Sequence, residues 1–274
     1  VTKKAYLFEE GESGKCREAA VPAAMTGAVD TAREQLIEMI AEADEALMER
    51  FFEAGTLTDE ELVGGLRAAT AAGKVFPLVC TSGLANVGVQ PLLDTILAYL
   101  PSPADRPFPA LGKGGQATTV KADEKAGAAA FVWKTIADPF AGLITMLRVV
   151  AGSLKSDATV WNPTHDTPER LGHLLVLEGK TQTHVPELKA GDLGAVAKLK
   201  DTHTNDLIAD KSTTFTFAPI AFPEPVLSYA IEPKTRGDED KISTAMQRLR
   251  EEDPTISYAR DPRTHELLLA GQGQ

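Results

Sequence analysis

Between residues 28 and 53, apolar residues recur every three or four positions: Ala28, Ala32, Leu36, Met39, Ile40, Ala43, Leu47 and Phe51. On a helix of 3.6 residues per turn these share one face, so the spacing predicts a helix over 28–53. A second helix is expected after Thr58. Thr58 and Glu61 have the capping-box spacing, in which each side chain takes a backbone N–H left orphan at the helix start. Leu62, Leu66 and Ala69 form its stripe, and Gly73 follows its end. The acidic runs Glu42, Asp44, Glu45 and Asp59, Glu60, Glu61 fall outside both stripes. The pattern is that of a solvated helical hairpin packed on something larger.

The period then changes. Residues 75–79, Val-Phe-Pro-Leu-Val, read as a buried strand. A turn-rich loop runs from Cys80 to Gly88. A helix follows, with Pro91 in its first turn, where a missing N–H costs nothing. Its stripe is Leu92, Leu93, Ile96, Leu97 and Leu100, and Pro101 stops it. Strand, loop and helix make an α/β unit. Residues 101–127 are rich in Pro, Gly, Ala and Lys and read as a linker. From 128 to about 217, short β-type runs recur between turn signals, at 131–136, 144–150, 159–161, 171–177, 193–199 and 213–217. That spacing predicts an antiparallel barrel. Beyond it lie a strand over 226–231 and a helix opened by Thr235 and Asp238 as a capping box, with Ile242, Ala245, Met246 and Leu249 on one side. A hairpin, 255–260 with 265–270, is expected around Asp261-Pro262-Arg263-Thr264.

Composition narrows the setting. The 274 residues are 43% hydrophobic and 24% charged, ordinary for a soluble globular protein with two or three domains. No run approaches the apolar length of a membrane span, and no h-region follows the first residues, so neither membrane nor secretory signal is expected. Cys16 and Cys80 show no metal or redox spacing, which suits a reducing cytoplasm. A net charge of −11 argues against binding to naked DNA, which needs clustered Lys and Arg.

Candidate chemistry is sparse. Gly11-Glu12-Ser13-Gly14-Lys15-Cys16 looks like the end of a phosphate-binding loop. The motif needs a Gly where Glu9 stands and a Ser or Thr where Cys16 stands, so these residues read as a surface turn. None of His165, His173, His184, His203 and His265 lies three or four residues from another, and no metal site is expected. Ser82 lies in Thr-Ser-Gly-Leu, not in a nucleophile elbow, and no catalytic residue is assigned.

Several blocks taken together resemble one family. Asp138-Pro139-Phe140 with Gly142, Arg148-Val149 and Gly152 resembles the barrel of elongation factor G, as does Ala190-Gly191-Asp192-Leu193-Gly194-Ala195-Val196 followed by Leu199-Lys200-Asp201-Thr202. Phe222-Pro223-Glu224-Pro225-Val226, Ile231-Glu232-Pro233-Lys234-Thr235 and Leu249-Arg250-Glu251-Glu252-Asp253-Pro254 resemble its third domain. Leu100-Pro101-Ser102-Pro103 matches the end of its nucleotide domain.

The resemblance implies a multidomain α+β chain. Residues 1–73 would be the helical insertion of the nucleotide domain and 74–103 the C-terminal end of that P-loop GTPase domain. A linker at 104–114 would lead to the β-barrel domain II at 115–218 and a partial ferredoxin-like α/β domain III at 222–274. It also implies a parent that binds GTP or GDP with Mg²⁺, hydrolyses GTP and acts on the ribosome in the cytoplasm. The phosphate loop, switch segments and guanine clamp would lie before Val1, so no cofactor is expected for this chain alone. Only the last nucleotide motif remains. The family's Ser-Ala pair, whose backbone N–H groups approach the guanine oxygen, appears as Ser82-Gly83, and Ser82, Gly83 and Leu84 are the candidate nucleotide-binding residues. Gly271-Gln272-Gly273-Gln274 stands for the family's Gly-Met-Gly-Glu, and Thr204-Asn205-Asp206 for its Thr-Gly-Asp, which suggests a divergent paralogue. The alternative is a non-catalytic ribosome-binding module, or a ribosome-protection or release-type factor. Three structural expectations follow: the barrel is the most autonomous part, the strand at 75–79 is poorly covered or propped by 1–73, and 226–231 is a sheet edge.

Overall fold

The structure is a computed structural model that describes residues 1–9, 14–138, 142–233 and 235–273. It divides into two compact units, Val1–Ser102 and Pro103–Gln274.

The first unit opens with an antiparallel hairpin of β1 (Lys4–Phe8) and β2 (Cys16–Ala20). The Glu9 N–H donates to the Lys15 carbonyl at 3.1 Å across its turn. Residues 11–13 of the false phosphate loop lie outside the described residues. Four helices follow: α1 (Thr26–Ala43), α2 (Glu45–Ala54), α3 (Asp59–Ala71) and α4 (Val89–Tyr99). The single helix expected over 28–53 is therefore two. Asp44 breaks it, with φ −145° and ψ 127°, and its carboxylate accepts from the Ala46 and Leu47 N–H groups at 2.9 and 3.1 Å. A short acidic side chain that can satisfy the next helix start favours a break over continuation.

The capping box is present. The Glu61 N–H donates to Thr58 Oγ1 at 3.2 Å and the Thr58 N–H to Glu61 Oε2 at 2.9 Å. These bonds, and Arg50 beside them, hold the Glu61 carboxyl below its ordinary range. Ile37, Ile40 and Ala41 of α1 pack with Leu57 and with Leu62, Leu66 and Ala69 of α3.

The strand expected over 75–79 does not form. The Lys74 and Val75 N–H groups both bond the Ala69 carbonyl at the end of α3, at 2.9 and 3.3 Å, and Val75 packs on the helical core. Phe76 and Leu78 beyond it are 81% and 91% exposed. A strand exists only through a neighbour's hydrogen bonds, and among the described residues β1 and β2 pair only with each other.

The second unit begins with β3 (Phe108–Leu111) and β4 (Ala117–Val120), a hairpin inside the stretch read as linker. Strand pairing and the burial of Ala110 order this stretch despite its composition. Then come β5 (Ala129–Asp138), β6 (Gly142–Ala151), β7 (Ser153–Lys155), β8 (Thr159–Asn162), β9 (Thr167–Arg170), β10 (Leu174–Glu178), β11 (Thr181–Val185), β12 (Glu187–Lys189), β13 (Leu193–Ala197) and β14 (Leu207–Ala209). Eight of them form one antiparallel sheet, ordered β11-β10-β13-β6-β5-β14-β8-β9, with β12 and β7 paired beside it. Val160 near one end of this sheet and Leu174 near the other join a single apolar cluster with Val132, Leu147, Val149, Leu154, Leu188 and Ile208. The sheet is thus curled into a barrel around one core. Residues 213–217, expected to be a strand, contribute only a bridge from Thr216 to Leu111. Gly152 turns the chain between β6 and β7 with φ +65°, where a Cβ would stand 2.6 Å from the Ala126 carbonyl oxygen, so only glycine fits.

A buried polar bracket holds one end of the barrel. Glu169 accepts from the Lys200 and Asp201 N–H groups at 3.1 and 2.7 Å and from the Thr202 hydroxyl at 2.9 Å. Asn162 Nδ2 donates to the Asp201 carbonyl and to Asp206 Oδ2, at 3.1 and 3.0 Å. Most buried polar groups in folded proteins find such partners.

The chain closes with β15 (Leu227–Ile231), α5 (Glu239–Glu252), β16 (Ser257–Arg260) and β17 (Leu267–Gly271). The sheet order β15-β17-β16 leaves β15 at an edge. This is the first three-strand portion of a ferredoxin-like β-α-β-β-α-β sandwich. The helix starts later than the expected cap: a 3₁₀ turn, Arg236–Asp238, precedes it, and the Thr235 hydroxyl donates to Asp238 Oδ2 at 2.7 Å instead of accepting a backbone N–H. Pro139, Phe140, Lys234 and Gln274, which belong to the family-like blocks, lie outside the described residues.

Candidate functional site

The loop between residue 79 and α4 is a closed turn. Ser82 and Val87 exchange backbone hydrogen bonds, the Ser82 N–H to the Val87 carbonyl at 2.9 Å and the Val87 N–H to the Ser82 carbonyl at 3.0 Å. Inside it, the Ala85 N–H donates to Ser82 Oγ at 3.3 Å and the Asn86 N–H to the Gly83 carbonyl at 3.4 Å. Asn86 takes a left-handed φ of +50°, which its side chain tolerates better than most. Gly88 has φ +76° and sits so close to the Cys80 carbonyl that a Cβ would stand 2.9 Å from it. Gly88 then caps α4, whose Leu92 N–H bonds the Gly88 carbonyl at 3.1 Å.

This wiring decides which amides face outward. The N–H groups of Ser82, Ala85, Asn86 and Val87 are used within the turn. Those of Gly83 and Leu84 have no acceptor among the described residues. Both residues are exposed, Leu84 to 93%. Two adjacent N–H groups are thus left without an acceptor on a hydrogen-bonded, exposed turn. The turn holds no base, nucleophile or phosphate cradle. Ser82 Oγ, the group most open to misreading as reactive, is an acceptor that stiffens the loop. Ser82, Gly83 and Leu84, the residues expected from the sequence, lie together in this exposed turn. The sequence did not indicate the roles of Asn86 and Gly88, whose only signal was turn-prone composition.

Elsewhere, residues distant in the chain converge. The rings of His165 and His203 lie 5.5 Å apart and those of His173 and His184 4.8 Å apart, pairings that helical spacing could not reveal. Among the described residues no group of three or more His, Cys, Asp or Glu is placed to hold a metal ion. Cys16 and Cys80 are free thiols, and Cys16 Sγ lies 3.6 Å from Gln90 Oε1. No helix among the described residues is long and apolar enough to cross a membrane.

Barrel, ferredoxin-like segment and order along the chain define a multidomain α+β piece of a translation factor. Comparison with known proteins agrees. The family model for elongation factor G domain 2 matches residues 127–211, and that for elongation factor G domain III matches residues 222–274. A crystal structure of a protein from Thermus thermophilus is similar over 99% of this chain, with 33% identity and a TM-score of 0.82. The chain spans 38% of the length of that protein. This chain belongs to the elongation factor G family.

Proposed function

We propose that this chain is a section of a translational GTPase that acts on the ribosome in the cytoplasm, and that the turn at 82–84 gives that protein its contact to the guanine base. The observation that carries this reading is the outward donor pair, Gly83 N–H and Leu84 N–H, fixed by the Ser82–Val87 bridge at the start of α4. A guanine carbonyl accepts from such a pair, and an adenine, with an amino group there, does not. GTP or GDP with Mg²⁺ would be held mainly by other segments of the longer protein. Phosphoryl transfer rests on Mg²⁺, phosphate-cradling amides and a positioned water, and the 274 residues contain no Gly-x-x-x-x-Gly-Lys-Ser/Thr sequence. The barrel and third domain would dock onto ribosomal RNA or protein.

The test compares the chain with the longer protein. Calorimetric titration of this chain with GDP and Mg²⁺ should show no specific heat, because two neutral hydrogen bonds cannot replace the charge-assisted phosphate contacts. In the longer protein, Gly83→Pro removes one of the two donors and should weaken GDP binding about tenfold, the cost of one net hydrogen bond of ~1.4 kcal/mol. Micromolar GDP binding by the chain alone, or unchanged affinity in the variant, would overturn the assignment. Nucleotide-independent sedimentation with ribosomes would instead favour a plain binding module.

A further inference from the structure

The C-terminal turn of α5 carries three acids in a row, Glu251, Glu252 and Asp253. Acids are disfavoured there, because the exposed carbonyls already make that end of a helix negative. Two of these acids reach out of their own domain into the barrel. Glu251 Oε2 lies 2.8 Å from His203 Nδ1, within hydrogen-bond distance. Glu252 Oε1 accepts the Ala137 N–H at 2.6 Å. That amide belongs to β5, whose other side is paired by β14 only over residues 129–131, with Val132 bonded to Asn205 and Asp206. Beyond Val132 this side of β5 has no strand partner among the described residues, and Glu252 occupies the open edge. Asp253 is held mainly by Thr255 hydrogen bonds, and Lys134 of β5 adds attraction from the barrel side.

Apolar packing does little to position the helix. Its stripe residues Ile242 and Met246 are only half-buried, and Ala245 and Leu249 are exposed. The seam beside the acids is open: a cleft of about 740 Å³ lies between Ala137, Asp138 and Leu143 of the barrel and Gln247, Arg248 and Glu251 of α5. The seam thus combines a solvent cleft with polar contacts at one end of α5.

We propose that Glu251 and Glu252 form a clamp that sets the orientation of the third domain on the barrel, through His203 and the Ala137 amide, and whose release frees that domain to swing. The groups around Glu251 are His203 from the loop before β14, with His165 behind it, and Arg248 and Arg250 from α5; those around Glu252 are the Ala137 amide of β5 and Arg248 of α5, while Lys134 of β5 acts on Asp253. The clamp is partly exposed, His203 by 45% and Glu251 by 29%.

Pulsed electron-electron distance measurement on the 274-residue chain tests this. One spin label goes on β11 (Thr183→Cys) and one on the turn before β17 (Arg263→Cys), with Cys16→Ser and Cys80→Ser removing the native thiols. At low salt one narrow distance distribution is expected. It should at least double in width in Glu251→Ala/Glu252→Ala, and broaden in His203→Ala, which breaks the clamp from the barrel side. Asp240→Asn at the far end of α5 should leave it unchanged. The emission of Trp133 and Trp161 reports whether the barrel is folded. An equally narrow distribution in the double variant with native emission overturns the clamp, as does a broad one in the unaltered chain. If the double variant does not fold, His203→Ala with native emission decides: broadening supports the clamp and an unchanged width refutes it.

Discussion

The barrel and the segment after it are both antiparallel sheets in one unit, yet they differ in what lies inside. The barrel encloses Val132, Leu147, Val149, Leu174 and Ile208 with essentially no exposure. Among the described residues of 222–273 not one is buried, and β17, the central strand, is half-exposed along its whole length. Both regions have good strand patterns and closed hairpins. The difference is that the barrel's sheet returns on itself, so apolar faces meet. The third-domain sheet has three strands and one helix to set against it. Each apolar Å² left in water forgoes roughly 25 cal/mol, so local pattern is enough for a strand and not for a core. The acidic catch at the end of α5 makes sense against this background, because polar contacts matter most where burial contributes least.

The largest test of this contrast is a matched pair of truncations. Leu147→Ala, in the closed core, should lower unfolding stability by about 2–5 kcal/mol in a denaturant titration followed by tryptophan emission. Leu268→Ala, on β17, should cost less than about 1.5 kcal/mol by the same measurement, since a half-exposed side chain leaves little new cavity. Equal costs would break the comparison.

Next in size is the polar bracket. Asn162→Ala removes the donor to the Asp201 carbonyl and to Asp206, and the acceptor for the Thr164 and His165 N–H groups. Groups left buried without partners should cost about 1–3 kcal/mol each where the loop cannot relax. Hydrogen exchange should quicken first over 199–206. Exchange unchanged there would show that the bracket holds nothing in place.

The smallest effect distinguishes the regions by pH. The Asp253 carboxyl is held below its ordinary 3.8 by bonds from Thr255, and Asp261 is lowered by the Thr264 and Arg263 amides. A depressed folded-state value means the stabilisation is fully present above about pH 3.8 and is lost as pH falls through the lower folded value. On acidification, exchange in the 257–271 hairpin should therefore rise below that pH. These groups are exposed, so the change is slight, and a hairpin insensitive to acid down to about pH 2 would contradict it.

Much of this was readable beforehand because it is local. The capping box at Thr58 and Glu61, the stripe of α4, the runs that became β5 and β6, and the turn at Asp261 need only residues within a few positions of one another. The turn at Ser82-Gly83 is legible as a turn, though not which amides it leaves without an acceptor. What the chain alone could not decide were matters of partnership. Residues 75–79 have a strand's composition and no neighbour to bond, so they stay irregular. Residues 108–120 have a linker's composition and a partner, so they form a hairpin. Asp44 reads as one more exposed acid until its carboxylate is seen capping α2. His203, Glu251, Ala137 and Glu252 are ordinary residues apart and become a seam only when the barrel and α5 meet. Sequence determines which conformations a segment favours. Hydrogen bonds and buried area need a second surface, and only the tertiary structure supplies it.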